Sequence, residues 1–311
     1  MNKTAFVFPG QGAQYAGMGK DFYDNFKESR EIFHRANEAL GFDITKLCFE
    51  GPNEELSITK ITQPALLTVC LAIYEVLKKR ADDSVVMGGL SLGEYSALTA
   101  AGAMDFETAV QLVYKRGNYM QNTVPLGEGG MLALLGCTDE EAIAFCKDIT
   151  LKYGLLEPAN FNYPGQIVAG GKSVAIDNAI DKAPRFNIKK AVKLQVSAPF
   201  HTSMLKPAGD KLKEDLAKII FKKPVTNVIS NVDSVYYEKS KIAEKLEKQV
   251  YNPVRWEACV RKMIADGVNT FVEIGPGKTL SGFIKRIDKN VKSINIENVQ
   301  GLNTYLQFAG A

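Results

Sequence analysis

Apolar positions fall along the chain in two textures: short unbroken runs and longer stretches with helical spacing. The first run, residues 4–8, is closed by Pro9-Gly10-Gln11-Gly12 and predicts a buried strand. Residues 61–80 are apolar around most of a helical circumference, which predicts a largely buried helix. A second short run, residues 85–89, precedes a segment of helix-forming composition at 94–101. Residues 105–122 predict another helix, on which Arg116 and Met120 stand four apart and share a face. From Gly129 the order changes. Strand patterns at 131–135, 156–161, 166–169 and 191–195 alternate with helix patterns opening at Thr138 and spanning 173–183. That order is β-α-β-β-α-β, the ferredoxin-like arrangement. Further strands are predicted around 225–230, 270–274 and 291–296. The expected fold is therefore α/β. An α/β-hydrolase-like large domain with a parallel sheet covers 1–126 and 198–311, and a ferredoxin-like small domain is inserted at 127–197.

Between the strand at 85–89 and the following helix lies Gly89-Leu90-Ser91-Leu92-Gly93. A G-x-S-x-G at a strand-to-helix junction is a nucleophile elbow. Glycines let the chain turn sharply, and the helix that follows opens with N–H groups that have no intrahelical partner. Ser91 needs a base, and the chain has two histidines. His34 sits in a charged amphipathic helix and reads as a surface residue. His201 lies in Ser197-Ala198-Pro199-Phe200-His201-Thr202, a loop before a new helix, where catalytic groups concentrate. Asp139, Asp148, Glu157, Asp177 and Asp181 lie between serine and histidine, none in a convincing strand-end loop. A Ser–His dyad with a backbone carbonyl orienting the histidine is expected instead of a triad.

These motifs, with Phe8-Pro9-Gly10-Gln11-Gly12-Ala13-Gln14, Thr62-Gln63-Pro64-Ala65, Arg116-Gly117, Ala159-Asn160-Phe161-Asn162, Tyr251-Asn252-Pro253-Val254 and Glu273-Ile274-Gly275-Pro276-Gly277, run the length of the chain. Together the chain resembles the malonyl-CoA:acyl-carrier-protein transacylases of fatty-acid synthesis. The resemblance implies that Ser91 is the acylated nucleophile and His201 its base. It implies an oxyanion hole from Gln11 and the Leu92 N–H, and a grip on the malonyl carboxylate by Arg116. Met120 would wall the acyl pocket, and Gln249 would orient His201 through its backbone carbonyl. Many members carry histidine before the nucleophile, where this chain has Leu90. Malonyl-CoA and acyl carrier protein are the implied partners, with no cofactor or metal. A serine hydrolase of the same fold, a polyketide-type acyltransferase and a non-catalytic scaffold are the alternatives. Arg116 argues against a simple esterase, because a neutral acyl chain has no use for it.

Composition changes little in this picture. Apolar residues make up 46% of the chain and charged residues 23%, as in an ordinary soluble enzyme. A formal charge of +3 is too mild to point to nucleic acid. Five cysteines with no C-x-x-C pair read as free thiols in a reducing cytoplasm. No signal peptide and no apolar stretch of membrane-spanning length is expected, and the enzyme is expected to be a monomer. Two motifs mislead. Gly10-Gln11-Gly12 has Tyr15 where a dinucleotide fingerprint needs glycine, and Gly277-Lys278-Thr279 has Val272 where a P-loop needs one.

Overall fold

The computed structural model describes residues 3–81, 84–196 and 198–310. Ser197, part of the loop motif before His201 and the last residue of the expected small domain, lies outside the described residues, as do both chain ends.

Five strands form a parallel sheet: β1 (Thr4–Phe8), β2 (Val86–Gly89), β7 (Asn227–Val228), β8 (Thr270–Ile274) and β9 (Lys292–Ile296). Their order is β7-β2-β1-β8-β9, and every pair is parallel. β1 and β2 are buried along almost their whole length, which is why both read as unbroken apolar runs. The remaining strands, β3 (Gly129–Leu135), β4 (Leu156–Tyr163), β5 (Gln166–Lys172) and β6 (Lys190–Lys193), form an antiparallel sheet in the order β4-β5-β3-β6. Its own apolar core, including Leu132, Phe145, Ile167 and Ile176, is separate from the cores flanking the parallel sheet. The Asp139–Tyr153 helix opens on the expected capping box, with Thr138 and Glu141 each bonded to the other's backbone N–H.

The two sheets are joined through backbone. The Phe161 N–H donates to the Val254 carbonyl at 2.9 Å, and the Val254 N–H donates to Ala159 at 2.8 Å. β4 thereby grips the segment that follows Gln249.

Three expectations need correction. The strand expected over 225–230 shrinks to two residues at the sheet edge, because Val225 turns its N–H to the Ala101 carbonyl and leaves its side chain in solvent. The helix expected over 173–183 is α-helical only over Ser173–Ala179 and tightens to a 3₁₀ segment over Ile180–Phe186, which contains Pro184. Proline supplies no N–H and clashes with the carbonyl four residues back, which disfavours continuing the α-helix there. The Thr59–Leu77 helix is also long and apolar enough, at 19 residues and a mean hydropathy of 1.3, to cross a membrane by length and composition. No stretch of that kind was expected. Its apolar surface is packed into the main core instead, where almost every residue is buried.

Candidate active site

The C-terminal ends of β1 and β2 lie side by side, and each releases a loop towards the same point. After β2 the chain turns through Ser91, whose φ of 51° and ψ of −102° are unusual for a residue with a side chain. The glycines make this turn possible. A Cβ on Gly89 would lie 2.0 Å from the Gly93 carbonyl carbon, and one on Gly93 would lie 2.0 Å from the Phe8 carbonyl oxygen. The loop after β1 passes as closely, since a Cβ on Gly10 would sit 2.4 Å from the Leu90 oxygen. That approach carries Gln11 to the elbow. Its amide donates to Thr59 Oγ1 in a long contact of 3.4 Å. Leu92 is the first residue of the Leu92–Ala100 helix, so its N–H is one of those a helix leaves free.

His201 stands opposite. Its Nε2 is 2.7 Å from Ser91 Oγ, and its Nδ1 is 2.7 Å from the Gln249 backbone oxygen. A carbonyl only accepts, so the ring proton belongs on Nδ1 and the Nε2 lone pair faces the serine hydroxyl. His201 is buried and held at φ 60°. The turn around it is tied by Thr202 Oγ1 donating to Pro199, and by Ser203 donating through N–H and Oγ to the Glu157 carboxylate. Glu157, one of the acids between serine and histidine, therefore serves as a clamp on the loop and not as a partner of the imidazole. Burial, then the charge of Arg116, pushes the imidazole down to about 3, against the pull of the Gln249 carbonyl. His34, by contrast, is exposed.

Arg116 is 1% exposed, on the Phe106–Thr123 helix. Its Nη1 donates to Gln63 Oε1 at 2.8 Å, and its Nη2 donates to Gln249 Oε1 at 2.8 Å and to Ser91 Oγ at 3.2 Å. The guanidinium lies over the Tyr95 ring, 5.1 Å from its centroid, and its Nε has no hydrogen-bond partner among the described residues. The helix comes close enough because Gly117 faces Thr59, whose carbonyl oxygen would be 2.7 Å from a Cβ there. Met120, one turn on, is buried, and its sulfur accepts from Gln63 Nε2 at 3.7 Å.

The sequence assigns no role to three residues that complete this cluster. Gln63 was quoted only as part of a motif, yet it bridges Arg116 and Met120. Glu94 is fully buried, and its carboxylate accepts from Tyr237 OH, the Asn231 N–H and Gln249 Nε2. Asn231 in turn accepts from the Ser91 N–H at 2.7 Å and donates to the Gly89 carbonyl at 2.8 Å. A charged residue inside an otherwise small and apolar helix was the available signal for Glu94. Asn160 and Asn162 lie on β4, where Asn160 bridges to Val254 and Asn162 donates to Gln166. At the false P-loop the Gly277 N–H donates to Glu297, and just after it the Leu280 and Ser281 N–H groups donate to Glu273.

Comparison with known proteins agrees with this geometry. The family model of the acyl transferase domain matches residues 5–304. The malonyl CoA-acyl carrier protein transacylase of Bacillus subtilis is 45% identical over 99% of this chain and 97% of its own length. That of Escherichia coli K12 is 43% identical over 92% and 93%. Among solved structures, the Clostridium perfringens malonyl CoA-acyl carrier protein transacylase superposes with a TM-score of 0.95 at 48% identity, covering 98% of this chain and 96% of that one. A malonyl-transacylase in complex with a type II PKS acyl-carrier protein gives 0.96 at 39% identity, over 99% of this chain and 100% of that one. A serine held at a glycine-walled elbow against a neutral histidine, with a buried arginine beside both, thus places the chain in the acyl transferase domain family, among the malonyl CoA-acyl carrier protein transacylases.

Proposed function

We propose that this protein moves the malonyl group from malonyl-CoA to the phosphopantetheine thiol of acyl carrier protein, for fatty-acid synthesis, by a ping-pong route through a malonyl ester of Ser91. The observation that carries the reading is Arg116: a buried cation within reach of the nucleophile, with neutral hydrogen-bond partners and an idle Nε–H. A thioester that ends in a carboxylate fits it, and arginine can meet that carboxylate with two parallel hydrogen bonds.

In the first half-reaction Ser91 Oγ attacks the thioester carbonyl carbon as His201 Nε2 takes the hydroxyl proton. Gln11 Nε2 and the Leu92 N–H donate to the oxyanion, where one such donor is typically worth about 2.7–4 kcal/mol. The C–S bond breaks, and the leaving coenzyme A sulfur receives the proton from His201. In the second half the carrier thiol gives its proton to His201 and attacks the ester, and Ser91 Oγ leaves with that proton. Met120 walls the acyl group. The scheme needs no metal or cofactor.

The strand order of the antiparallel sheet supports reading residues 127–197 as a ferredoxin-like insertion in an α/β-hydrolase-like domain formed by 1–126 and 198–311. Unpaired cysteines support a reducing, cytoplasmic setting, and we read the enzyme as a monomer.

Intact-mass analysis tests the route. Malonyl-CoA alone should leave a malonyl adduct that added carrier protein removes, and Ser91→Ala should take up none. An adduct persisting in Ser91→Ala would place the nucleophile elsewhere. His201→Ala should acylate slower by orders of magnitude, and near-normal acylation there would sink the dyad.

A further inference from the structure

We propose that Glu94 is a positioning residue for this transfer: its carboxylate accepts from both the Gln249 side-chain amide and the Asn231 N–H, and so holds Arg116 and the Ser91 elbow in working alignment. This rests on the reading that Arg116 grips the acyl carboxylate.

Gln249 touches the nucleophile's backbone, the base and the arginine. Its backbone oxygen holds His201, its Nε2 donates to the Ser91 carbonyl at 2.8 Å and to Glu94, and its Oε1 accepts from Arg116. The groups facing Nε2 only accept, and the group facing Oε1 only donates. The amide therefore has one satisfied orientation, which the Ser91 carbonyl, Arg116 and Glu94 set together, with Glu94 the one member that can turn into a donor. Three donors converge on Glu94: Gln249 Nε2 on one oxygen, the Asn231 N–H and Tyr237 OH on the other. A carboxylate accepts from all three. A neutral acid or a glutamine has one end that donates. If that end faces Gln249, the amide must turn and set its NH₂ against the Arg116 guanidinium. If it faces Asn231, two N–H groups collide at the residue that fixes the Ser91 N–H. Tyr237 can rotate its hydroxyl, whereas neither amide can adapt without losing a buried bond, which is costly.

The carboxylate sits near its own titration point. Burial pushes Glu94 up to about 7, against the hydrogen bonds from Tyr237, Gln249 and Asn231 and the charge of Arg116. The other titratable groups around it keep their charge through neutrality. Arg116 on the Phe106–Thr123 helix stays cationic. Tyr95 on the same helix as Glu94 and Cys259 on the Trp256–Ala265 helix are each pushed up to about 12, and Tyr237, after β7, rises well above its ordinary value. His201, reached through Gln249, is held down to about 3. Glu94 is thus the member of this cluster whose charge changes near neutral pH, and protonation would disturb the site much as glutamine would.

The test is kcat/KM for malonyl-CoA and acetyl-CoA between about pH 5.5 and 8.5, with the full-length wild type, Glu94→Gln and Arg116→Ala. In the wild type, malonyl transfer should fall as pH drops through about 7, with acetyl transfer falling less. Glu94→Gln should lower malonyl kcat/KM at high pH by about tenfold to a hundredfold, shrink the malonyl-to-acetyl ratio and abolish the acid limb. A Glu94→Gln enzyme with the wild-type ratio and the wild-type limb overturns the proposal. If that variant does not fold, Tyr237→Phe answers instead. Removing one donor to the anion should move the limb upward by about one pH unit, and an unmoved limb overturns the proposal. Arg116→Ala separates the two levels. If it leaves selectivity unchanged, the grip itself is wrong; if it abolishes selectivity while Glu94→Gln is silent, only the role of Glu94 fails.

Discussion

Arg116 has a guanidinium almost wholly withdrawn from water, contacted by the amide oxygens of Gln63 and Gln249, the Ser91 hydroxyl and the Tyr95 ring. None of these carries a full charge, so an acyl carboxylate would be its first direct counter-ion. Removing one member of a buried charge pair costs roughly 2–5 kcal/mol. At about 1.4 kcal/mol per tenfold, Arg116→Ala should lower malonyl kcat/KM by tens-fold to thousands-fold while acetyl transfer falls little or rises. Arg116→Lys should recover part, because an ammonium lacks the planar fork. Equal losses for both substrates would show that the arginine only holds the fold. Burial chiefly depresses His201 and the Arg116 charge adds to it; a bound carboxylate would offset that second part, so the malonyl substrate meets a stronger base than the acetyl one. The preference should therefore appear in kcat as well as KM, and equal kcat values would refute the coupling. Ser91 and His201 were legible in the sequence because they stand in local motifs that single them out, whereas Arg116, beside Lys115, stands out only through the family resemblance. Glu94, Gln63 and Asn231 were not legible, because their roles come from partners brought in by folding, such as Asn231 and Gln249 at 137 and 155 positions from Glu94.

At the scale of elements, the strand–elbow–helix is fixed by backbone clearance. Gly93→Ala puts a methyl 2.0 Å from the Phe8 oxygen, where no flexible side chain can yield. Thermal melting should show a loss of roughly 3 kcal/mol or more, and an unaltered melting curve would mean that β1 and the elbow can part without cost. Leu90 is different: it is only partly buried and packs on the apolar cluster of Val86 and Ile229. Leu90→His should fold and keep transfer within a few-fold of wild type; loss of nearly all transfer in the folded variant would give this position a role in the chemistry. Elements with a strong internal pattern, such as β1, β8 and the Thr59–Leu77 helix, could be read to within two or three residues. β7 could not, because an edge strand of two residues is decided by what its neighbours do with the adjoining N–H groups.

At the scale of the molecule, the antiparallel sheet and the base are mechanically one piece. β4 is bonded through backbone to Val254, Val254 is five residues from Gln249, and the Gln249 oxygen holds His201. The Tyr163 ring adds a tilted ring contact with Phe283 and a cation–π contact with Arg286, 4.7 Å from the ring centroid. The same close packing reaches the thiols. Cys48, Cys70, Cys137, Cys146 and Cys259 are all buried and free, and burial raises each of them, Cys137 to about 11 and Cys146 and Cys259 to about 12. Reaction of the folded protein with a disulfide reagent should find no fast thiol, and the unfolded chain should show all five. A fast thiol in the folded protein would contradict this packing. An enzyme that collects its cargo from one thiol and surrenders it to another would be poisoned by a thiolate of its own, since the acyl group would settle there as a dead-end thioester. With every sulfhydryl sealed in and kept protonated, the only sulfur nucleophiles the acyl group meets are those its partners bring.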